Sequence, residues 1–246
     1  MISVKHLSKK YMGEKEKEAL KDISIDFPRG EIVGIFGENG AGKTTLMKSI
    51  LKLQSFKGEI TIDGEKIGNN NITKLSFATS EHSFFPNTNA MIHRDFYELH
   101  FENFKGKRFD SLMEFFELPK KKPIKSFSTG QKNQFEVILA LSQGADYILM
   151  DEPFSGNDIF NREDFYKVLL GILDEGETII LSTHLIEEVE KFIDRAVLIS
   201  KGQIVGDCKL DRLAEEGKIL VEYVKEVYKY QNDRVSLALE MLTKEE

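Results

Sequence analysis

The sequence predicts an α/β fold in which a parallel sheet is covered by helices and preceded by antiparallel strands. Short, nearly continuous apolar runs are typical of strands that are buried on both faces, and they occur at 75–78, 147–150, 178–181 and 196–199. Between the runs at 147–150 and 178–181, apolar side chains such as Phe165, Val168 and Leu169 recur at helical spacing. These observations indicate parallel strands joined by crossover helices.

The N-terminal part of the chain follows a different pattern, in which apolar and polar residues alternate. Ile23, Ile25 and Phe27 alternate with Ser24 and Asp26. A second alternating stretch ends at the turn 63–64. This period of two predicts antiparallel strands with one face in contact with solvent.

A glycine-rich segment between a predicted strand at 31–36 and a predicted helix at 45–51 fits the phosphate-binding pattern G-x-x-x-x-G-K-[ST]. It consists of Gly37, Glu38, Asn39, Gly40, Ala41, Gly42, Lys43, Thr44 and Thr45. Glycines let backbone N–H groups approach a phosphate closely, and the helix start adds unpaired N–H groups. Lys43 supplies a cation, and Thr44 supplies a hydroxyl that can ligate Mg²⁺. The segment therefore predicts a site for nucleotide phosphates.

Three further polar residues follow predicted strands, and the carboxyl ends of neighbouring parallel strands converge on one ligand. Asp151 and Glu152 follow the run at 147–150, and His184 follows the run at 178–181. We expect Asp151 to hold Mg²⁺ through its water shell and Glu152 to orient the water that attacks the γ-phosphate. His184 can donate to the γ-phosphate. Together with the cation Lys43, Glu152 and His184 form the predicted catalytic set.

Signals for strands are absent between about residues 86 and 141, where 90–104 and 108–118 are predicted to be helices. This indicates a helical insertion between two strands of the parallel sheet. We therefore divide the chain into a core at 1–85 and 142–206, a helical subdomain at 86–141 and a C-terminal extension at 207–246. From residue 210 onward we expect a strand remnant and a helix around 221–230.

Composition restricts the class of protein. The 246 residues carry a net charge of −7, which argues against a general nucleic-acid binder. The single cysteine, Cys208, cannot form an internal disulfide, which fits a reducing cytosol. No stretch approaches about 18 consecutive apolar residues, so we expect any work at a membrane to require a partner.

The order of these motifs over residues 1–206 resembles the nucleotide-binding subunit of an ATP-binding cassette (ABC) transporter. Ser128, Thr129, Gly130 and Gln131 look like the family's signature motif, usually spelled LSGGQ, with Phe127 in place of Leu. Residues 155–158 look like the loop after the catalytic Glu, and Tyr11 lies where the family has an aromatic residue that stacks on adenine. The resemblance implies a P-loop NTPase (RecA-like) core with an antiparallel β subdomain and an inserted helical subdomain, and it implies hydrolysis of ATP with Mg²⁺.

One position departs from the family pattern. The family has a Gln at the start of the loop that joins the core to the helical subdomain, where it touches Mg²⁺ and reports the nucleotide state to the membrane partner. In this chain the position falls at Ser80, with Glu81 beside it. The carboxylate of Glu81 can reach the metal, whereas Ser80 would need a bridging water, and the two possibilities stay open.

The resemblance also implies partners. Two nucleotide-binding subunits, identical or paralogous, would pack head to tail with each ATP between the phosphate loop of one and residues 128–131 of the other. A transmembrane permease would dock near 84–101, which places the chain in the cytoplasm at the inner face of the cell membrane. The compact length favours an export-type (ABC-2) permease for a drug, peptide or lipid.

Three other classes of nucleotide-binding protein share part of this pattern. A soluble ABC-type ATPase without a transport role, such as an iron–sulfur assembly subunit, is compatible with the size of the chain. A GTPase should carry an N-K-x-D motif, which is absent. A kinase would need neither the signature motif nor His184.

Overall fold

Ten strands and eight α-helices lie within residues 1–11, 17–153 and 159–228, which the computed structural model describes. The strands are β1 (Ile2–Tyr11), β2 (Lys17–Phe27), β3 (Ile32–Phe36), β4 (Lys57–Ile62), β5 (Glu65–Lys66), β6 (Leu75–Thr79), β7 (Tyr147–Asp151), β8 (Thr178–Ser182), β9 (Arg195–Ser200) and β10 (Gln203–Lys209). The helices are α1 (Lys43–Ile50), α2 (Ala90–His100), α3 (Gly106–Phe115), α4 (Thr129–Ser142), α5 (Ile159–Ile172), α6 (Ile186–Val189), α7 (Leu210–Glu215) and α8 (Leu220–Val227).

A six-stranded sheet in the order β10-β9-β3-β8-β7-β6 forms the centre of the fold. Strands β9, β3, β8, β7 and β6 pair in parallel, and β10 joins β9 as an antiparallel edge strand. The four apolar runs of the sequence form β6, β7, β8 and β9, so the predicted parallel sheet is confirmed. The parallel arrangement brings the loops after β3, β7 and β8 to one edge.

A second sheet, in the order β2-β1-β4-β5, is antiparallel throughout. Ile2 pairs with Phe27 on one side and with Ile62 on the other, and all three side chains are buried. The antiparallel subdomain predicted from the alternating N-terminal pattern is therefore confirmed.

Each strand of the central sheet contributes to two hydrophobic clusters, one on each face. In β7, Tyr147 and Leu149 pack in the cluster that contains α1 and the antiparallel sheet. Ile148 and Met150 pack in the other cluster, which contains side chains of α3, α4 and α8. The inserted helices thus share their core with the central sheet, and this anchors the start of α4 relative to the end of β7.

The two helices expected in the insertion are present as α2 and α3, with shifted ends. Asn89 caps α2 by accepting a hydrogen bond from the Ile92 backbone N–H at 3.0 Å. The helix ends at His100, four residues before the expected end, because Phe101 adopts an extended conformation. The connection to α3 is tied to the end of α4, since the Lys105 N–H donates to the Ser142 carbonyl at 2.8 Å.

The C-terminal part differs from expectation. The strand remnant expected after residue 210 is wrong for residues 210–228, which form α7, a turn and α8. Leu210 and Leu213, and then Leu220 and Val224, recur at helical rather than strand spacing. Strand β10 runs three residues past the expected core boundary at 206. The helix expected around 221–230 is present as α8, and residues 229–246 lie outside the described part.

Within the described ranges, the structure contains no helix with the length and apolar character needed to cross a bilayer.

Candidate active site

The phosphate-loop segment connects β3 to α1 and leaves no room for side chains at two glycines. A Cβ atom on Gly37 would lie 2.3 Å from the Ile199 carbonyl oxygen. Gly42 has a φ of 119°, and a Cβ there would lie 2.7 Å from the Ala19 carbonyl oxygen. Because both contacts involve backbone atoms, only glycine fits these positions. The predicted order of strand, loop and helix is present, and the helix begins at Lys43 rather than at Thr45.

The Lys43 side chain is buried and folds back over the loop. Its ammonium group donates hydrogen bonds to the carbonyl oxygens of Gly37 at 2.8 Å and Glu38 at 3.4 Å. These carbonyls hold the cation inside the loop, where it can exchange neutral acceptors for a phosphate. A charged acceptor forms the stronger hydrogen bond.

Thr44 and Asp151 meet at the start of α1 and the end of β7. The Thr44 hydroxyl donates to one carboxylate oxygen of Asp151 at 2.6 Å, and the Ser182 hydroxyl donates to the other. A hydroxyl and a carboxylate are the hard oxygen donors that Mg²⁺ prefers, so this pair fits that ion. In the described part of the chain no three His, Cys, Asp or Glu side chains form a metal-binding group. Mg²⁺ commonly takes its remaining ligands from phosphates and water.

Glu152 has an uncommon backbone conformation. Its φ of 49° lies in the left-handed region, which costs a non-glycine residue about 1–2 kcal/mol. The conformation is held by Ser182, whose carbonyl and hydroxyl oxygens accept the Glu152 N–H at 3.0 and 3.2 Å. The Glu152 carboxylate contacts Nδ1 of the exposed His184 ring at 3.0 Å. Strained backbone of this kind is concentrated at functional sites.

A cavity of about 180 Å³ brings together nine of the predicted site residues. Its lining consists of Tyr11, Ala19, Asn39, Gly40, Gly42, Lys43, Thr44, Thr45, Asp151 and Glu152. Tyr11 is partly exposed at the rim, where its hydroxyl donates to Gln54 Oε1 at 2.6 Å and lies 3.4 Å from the Thr45 hydroxyl. The phosphate loop, the two carboxylates and the aromatic residue thus lie together.

Residues 128–131 are absent from the described lining of this cavity and lie at the N-terminus of α4. Ser128 and Gln131 form a capping box, in which the Ser128 hydroxyl accepts the Gln131 N–H at 3.2 Å and Gln131 Oε1 accepts the Ser128 N–H at 3.0 Å. Ser128 and Thr129 are exposed. The segment therefore presents a capped helix N-terminus to its surroundings.

Ser80 and Glu81, the two residues at the position of the family's loop Gln, have different surroundings in the loop after β6. The carboxylate of Glu81 is 68% exposed and pairs with the Lys48 ammonium at 2.6 Å. It is not among the described lining residues of the nucleotide cavity. Ser80 lines a second, smaller cavity together with Asp151 and Glu152. Ser80 thus lies beside the carboxylates of Asp151 and Glu152, whereas Glu81 pairs with Lys48 of α1. The segment 155–158 lies outside the described residues.

Sequence reasoning missed three residues of this region. Ser182 organises both carboxylates, and its signal was its place at the end of a strand beside Asp151. The Gln54 side chain donates to the Thr45 carbonyl at 2.8 Å and accepts from the Tyr11 hydroxyl, and the sequence around Gln54 gives no signal of this role.

Glu136 is the only charged residue in the otherwise apolar segment 135–141, and this charge was an available signal. Burial raises the pKa of Glu136 to about 7, although hydrogen bonds from Ser83 oppose the shift.

Comparisons with known proteins point to one group. The model of the ABC transporter family matches residues 20–155, which is more than half of the chain. The ABC transporter ATP-binding protein YtrB of Bacillus subtilis is 28% identical over 243 residues, covering 97% of this chain and 80% of the relative. The lantibiotic transport ATP-binding protein SrtF of Streptococcus pyogenes is 25% identical over 223 residues, covering 86% and 92%. A dimeric ATP-binding cassette in a post-hydrolysis state, bound to ADP and Pi, matches with a TM-score of 0.75 at 25% identity, covering 85% and 99%.

Proposed function

The chain belongs to the ABC transporter family as an ATP-binding subunit with ATPase activity, and from this premise we propose which residues perform the reaction and what it drives. The observation that carries the assignment is the cavity in which the phosphate loop, Asp151 and Glu152 converge. In this proposal the N–H groups of 37–45 and the Lys43 ammonium bind the β- and γ-phosphates. The Tyr11 ring supports the adenine.

Thr44 and Asp151 would hold Mg²⁺, which neutralises phosphate charge when bound. The hydrogen bond between these side chains supports this role, because it brings both oxygen donors to one point. Ser182 keeps the Asp151 carboxylate in the required rotamer by donating to its second oxygen.

Glu152 orients the attacking water by accepting a hydrogen bond from it. The water oxygen forms a bond to the γ-phosphorus while the bond from that phosphorus to the β–γ bridging oxygen breaks, and ADP leaves with the electron pair. One water proton passes to the Glu152 carboxylate, and the other stays on the released phosphate. His184 would link the Glu152 carboxylate to the γ-phosphate, and its 3.0 Å contact with that carboxylate supports this role. The left-handed backbone at Glu152 supports the assignment, since it turns the side chain at the end of β7 toward the cavity.

A second subunit completes the site in this proposal. Residues 128–131 of one chain, at the N-terminus of α4, bind the γ-phosphate held by the loop 37–45 of the other. An exposed helix N-terminus favours an anion through its dipole, and this segment is absent from the described lining of its own chain's cavity. The dimeric arrangement of the similar cassette bound to ADP and Pi supports the same conclusion.

ATP hydrolysis by this subunit would drive a separate permease, to which the chain binds at the inner face of the cell membrane. Phe85, Ile92 and Leu99 are exposed large apolar side chains on or before α2, within the predicted docking region 84–101. An exposed apolar surface of this kind suits a protein partner. Similarity to a lantibiotic transport ATP-binding protein favours an exporter of a peptide, drug or lipid.

The first test compares the purified wild type with Glu152→Gln, and with Glu187→Gln as a control that removes an exposed carboxylate nearby. We expect Glu152→Gln to abolish turnover, to retain ATP binding and to accumulate as a dimer with Mg-ATP in size-exclusion chromatography. Glu187→Gln should behave as the wild type does. Unimpaired turnover in Glu152→Gln would remove this residue from the mechanism.

A second test addresses the permease. An affinity-tagged chain isolated from detergent-solubilised membranes should retain a membrane protein as partner. Isolation with only soluble proteins would favour an ABC-type ATPase without a transport role.

A further inference from the structure

Glu136 lies two turns into α4, and its side chain is enclosed although it carries a carboxyl group. The residue is 2% exposed and belongs to the helix that begins with residues 128–131. Its neighbours along α4, Phe135 and Val137, are buried apolar residues. An isolated carboxyl group at such a position requires hydrogen-bond partners.

Within the described part of the chain, the hydrogen bonds to this carboxyl group come from Ser83. The Ser83 N–H donates to Oε1 at 3.0 Å and to Oε2 at 3.2 Å, and the Ser83 hydroxyl donates to Oε1 at 2.5 Å. Ser83 belongs to the loop that leaves β6 and contains Ser80. One side chain of α4 therefore holds the loop through both its backbone and its side chain.

The same loop is also fixed on its far side. The Phe84 ring lies 5.9 Å from the Phe135 ring of α4, and the Phe85 N–H donates to His93 Nε2 of α2 at 2.9 Å. Because residues 83–85 are held by both helices, a movement of α4 is transmitted to the start of the loop. Packed and hydrogen-bonded elements shift as units rather than deforming continuously.

The start of the loop borders the reaction site. Ser80, Glu136, Asp151 and Glu152 line one small cavity, together with Asn133 of α4. A displacement of Ser83 would therefore alter the surroundings of the two catalytic carboxylates. This cavity shares Asp151 and Glu152 with the lining of the nucleotide cavity.

We propose that Glu136 is a positioning residue for ATP hydrolysis, which couples the signature-motif helix α4 to the loop 80–83 and so sets Ser80 beside Asp151 and Glu152. When the γ-phosphate of a partner engages residues 128–131, the resulting shift of α4 reaches Ser80 through the contact between Glu136 and Ser83. This inference rests on the proposed two-subunit site.

Three variants separate the contact from the charge. Glu136→Ala removes every acceptor for Ser83, Glu136→Gln retains a carbonyl acceptor of the same shape, and Ser83→Ala removes only the hydroxyl donor. We expect Glu136→Ala to lower kcat by about ten-fold or more, as loss of a partner behind a catalytic group commonly does. KM for ATP should stay within about two-fold, because the residues that line the nucleotide cavity are unchanged.

Conservative replacement should restore activity. Glu136→Gln should keep kcat within about two-fold of the wild type. The kcat of Ser83→Ala should lie between the values for Glu136→Gln and Glu136→Ala. The double variant should be no slower than Glu136→Ala, because the two residues act through one contact.

Glu177→Gln is the control for loss of a buried carboxylate, since Glu177 pairs with Lys105 and Arg108 and is absent from the described lining of both cavities. A kcat for Glu136→Ala within two-fold of the wild type, or a Glu136→Gln as slow as Glu136→Ala, would overturn the proposal.

A second measurement does not depend on turnover. Hydrogen exchange of the peptide covering 79–85 is followed with and without Mg-ATP in Glu152→Gln and in Glu152→Gln combined with Glu136→Ala. We expect ATP-dependent protection of this peptide in the first variant and its loss in the second, while both form the dimer. Equal protection in two dimeric variants would refute the coupling. If Glu152→Gln itself forms no ATP-dependent dimer, the proposed two-subunit site fails, and the coupling inference fails with it.

Discussion

Glu136 should make the stability of this protein fall as the pH rises, and replacement by Gln should remove that dependence. Burial raises the pKa of this carboxyl group from 4.5 to about 7. Between these two values the folded state holds a proton that the unfolded state releases. Because the unfolded state binds fewer protons in this window, the free energy of unfolding decreases with rising pH.

The magnitude follows from the two pKa values. One pKa unit corresponds to about 1.4 kcal/mol, so the full difference is worth about 3 kcal/mol. The favourable contribution of the protonated group is present below 4.5 and is lost as the pH rises through 7. From pH 5 to pH 8 the wild type should lose about 2–3 kcal/mol relative to Glu136→Gln, whose amide does not titrate.

The assay is urea unfolding of the nucleotide-free chain at several pH values between 5 and 8, wild type beside Glu136→Gln. Other titrating groups are common to both proteins, so the difference in unfolding free energy isolates residue 136. Unequal slopes of free energy against urea would indicate a changed unfolded state and are checked at each pH. A difference that stays constant from pH 5 to pH 8 would show that the buried carboxyl group ionises normally.

Two further substitutions test the packing and the support of the active site. Gly37→Ala would place a methyl group 2.3 Å from the Ile199 carbonyl oxygen, so we expect a loss of about 1–3 kcal/mol in urea unfolding and weaker ATP binding by equilibrium titration. Gly171→Ala is the control, because a Cβ atom at this position in helix α5 has no atom within 4 Å, and it should stabilise the chain by up to about 1 kcal/mol. A Gly37→Ala variant that is stable and binds ATP would contradict the steric argument. Ser182→Ala should lower kcat by about ten-fold or more in a steady-state ATPase assay, because Asp151 and the Glu152 N–H each lose a partner. Unchanged kcat in Ser182→Ala would show that the strand pairing alone positions both carboxylates.

Local patterns predicted the parts of the site that depend on adjacent residues. The phosphate loop was predictable because its glycines, Lys43 and Thr44 act within one loop and one helix start. The central strands were predictable because strands buried on both faces have almost no polar residues. The start of α7 at Leu210 was not predictable, since β10 alternates up to Lys209 and the alternation gives no indication of where it stops.

The long-range contacts of the site could not be predicted in this way. Glu136 and Ser83 are 53 residues apart, and their pairing depends on how α4 lies across the end of β6. The same holds for Ser80 and Glu81, which are adjacent in sequence but have different surroundings. The path of the loop directs Glu81 to Lys48 and leaves Ser80 beside the carboxylates, and a sequence pattern does not specify that path.

The register between β7 and β8 explains why one serine contacts both residues that we propose as metal ligand and water-orienting group. Asp151 pairs with Ser182 at the last position of both strands, so their side chains lie on the same face of the parallel sheet. From this position the Ser182 hydroxyl reaches Asp151, and the Ser182 carbonyl reaches the N–H of the next residue, Glu152. A slip of one residue would move Asp151 to the opposite face, away from Thr44, and would release the left-handed turn at Glu152. The placement of the Asp151 and Glu152 carboxylates therefore depends on a single strand register, which the buried apolar residues of β7 and β8 enforce.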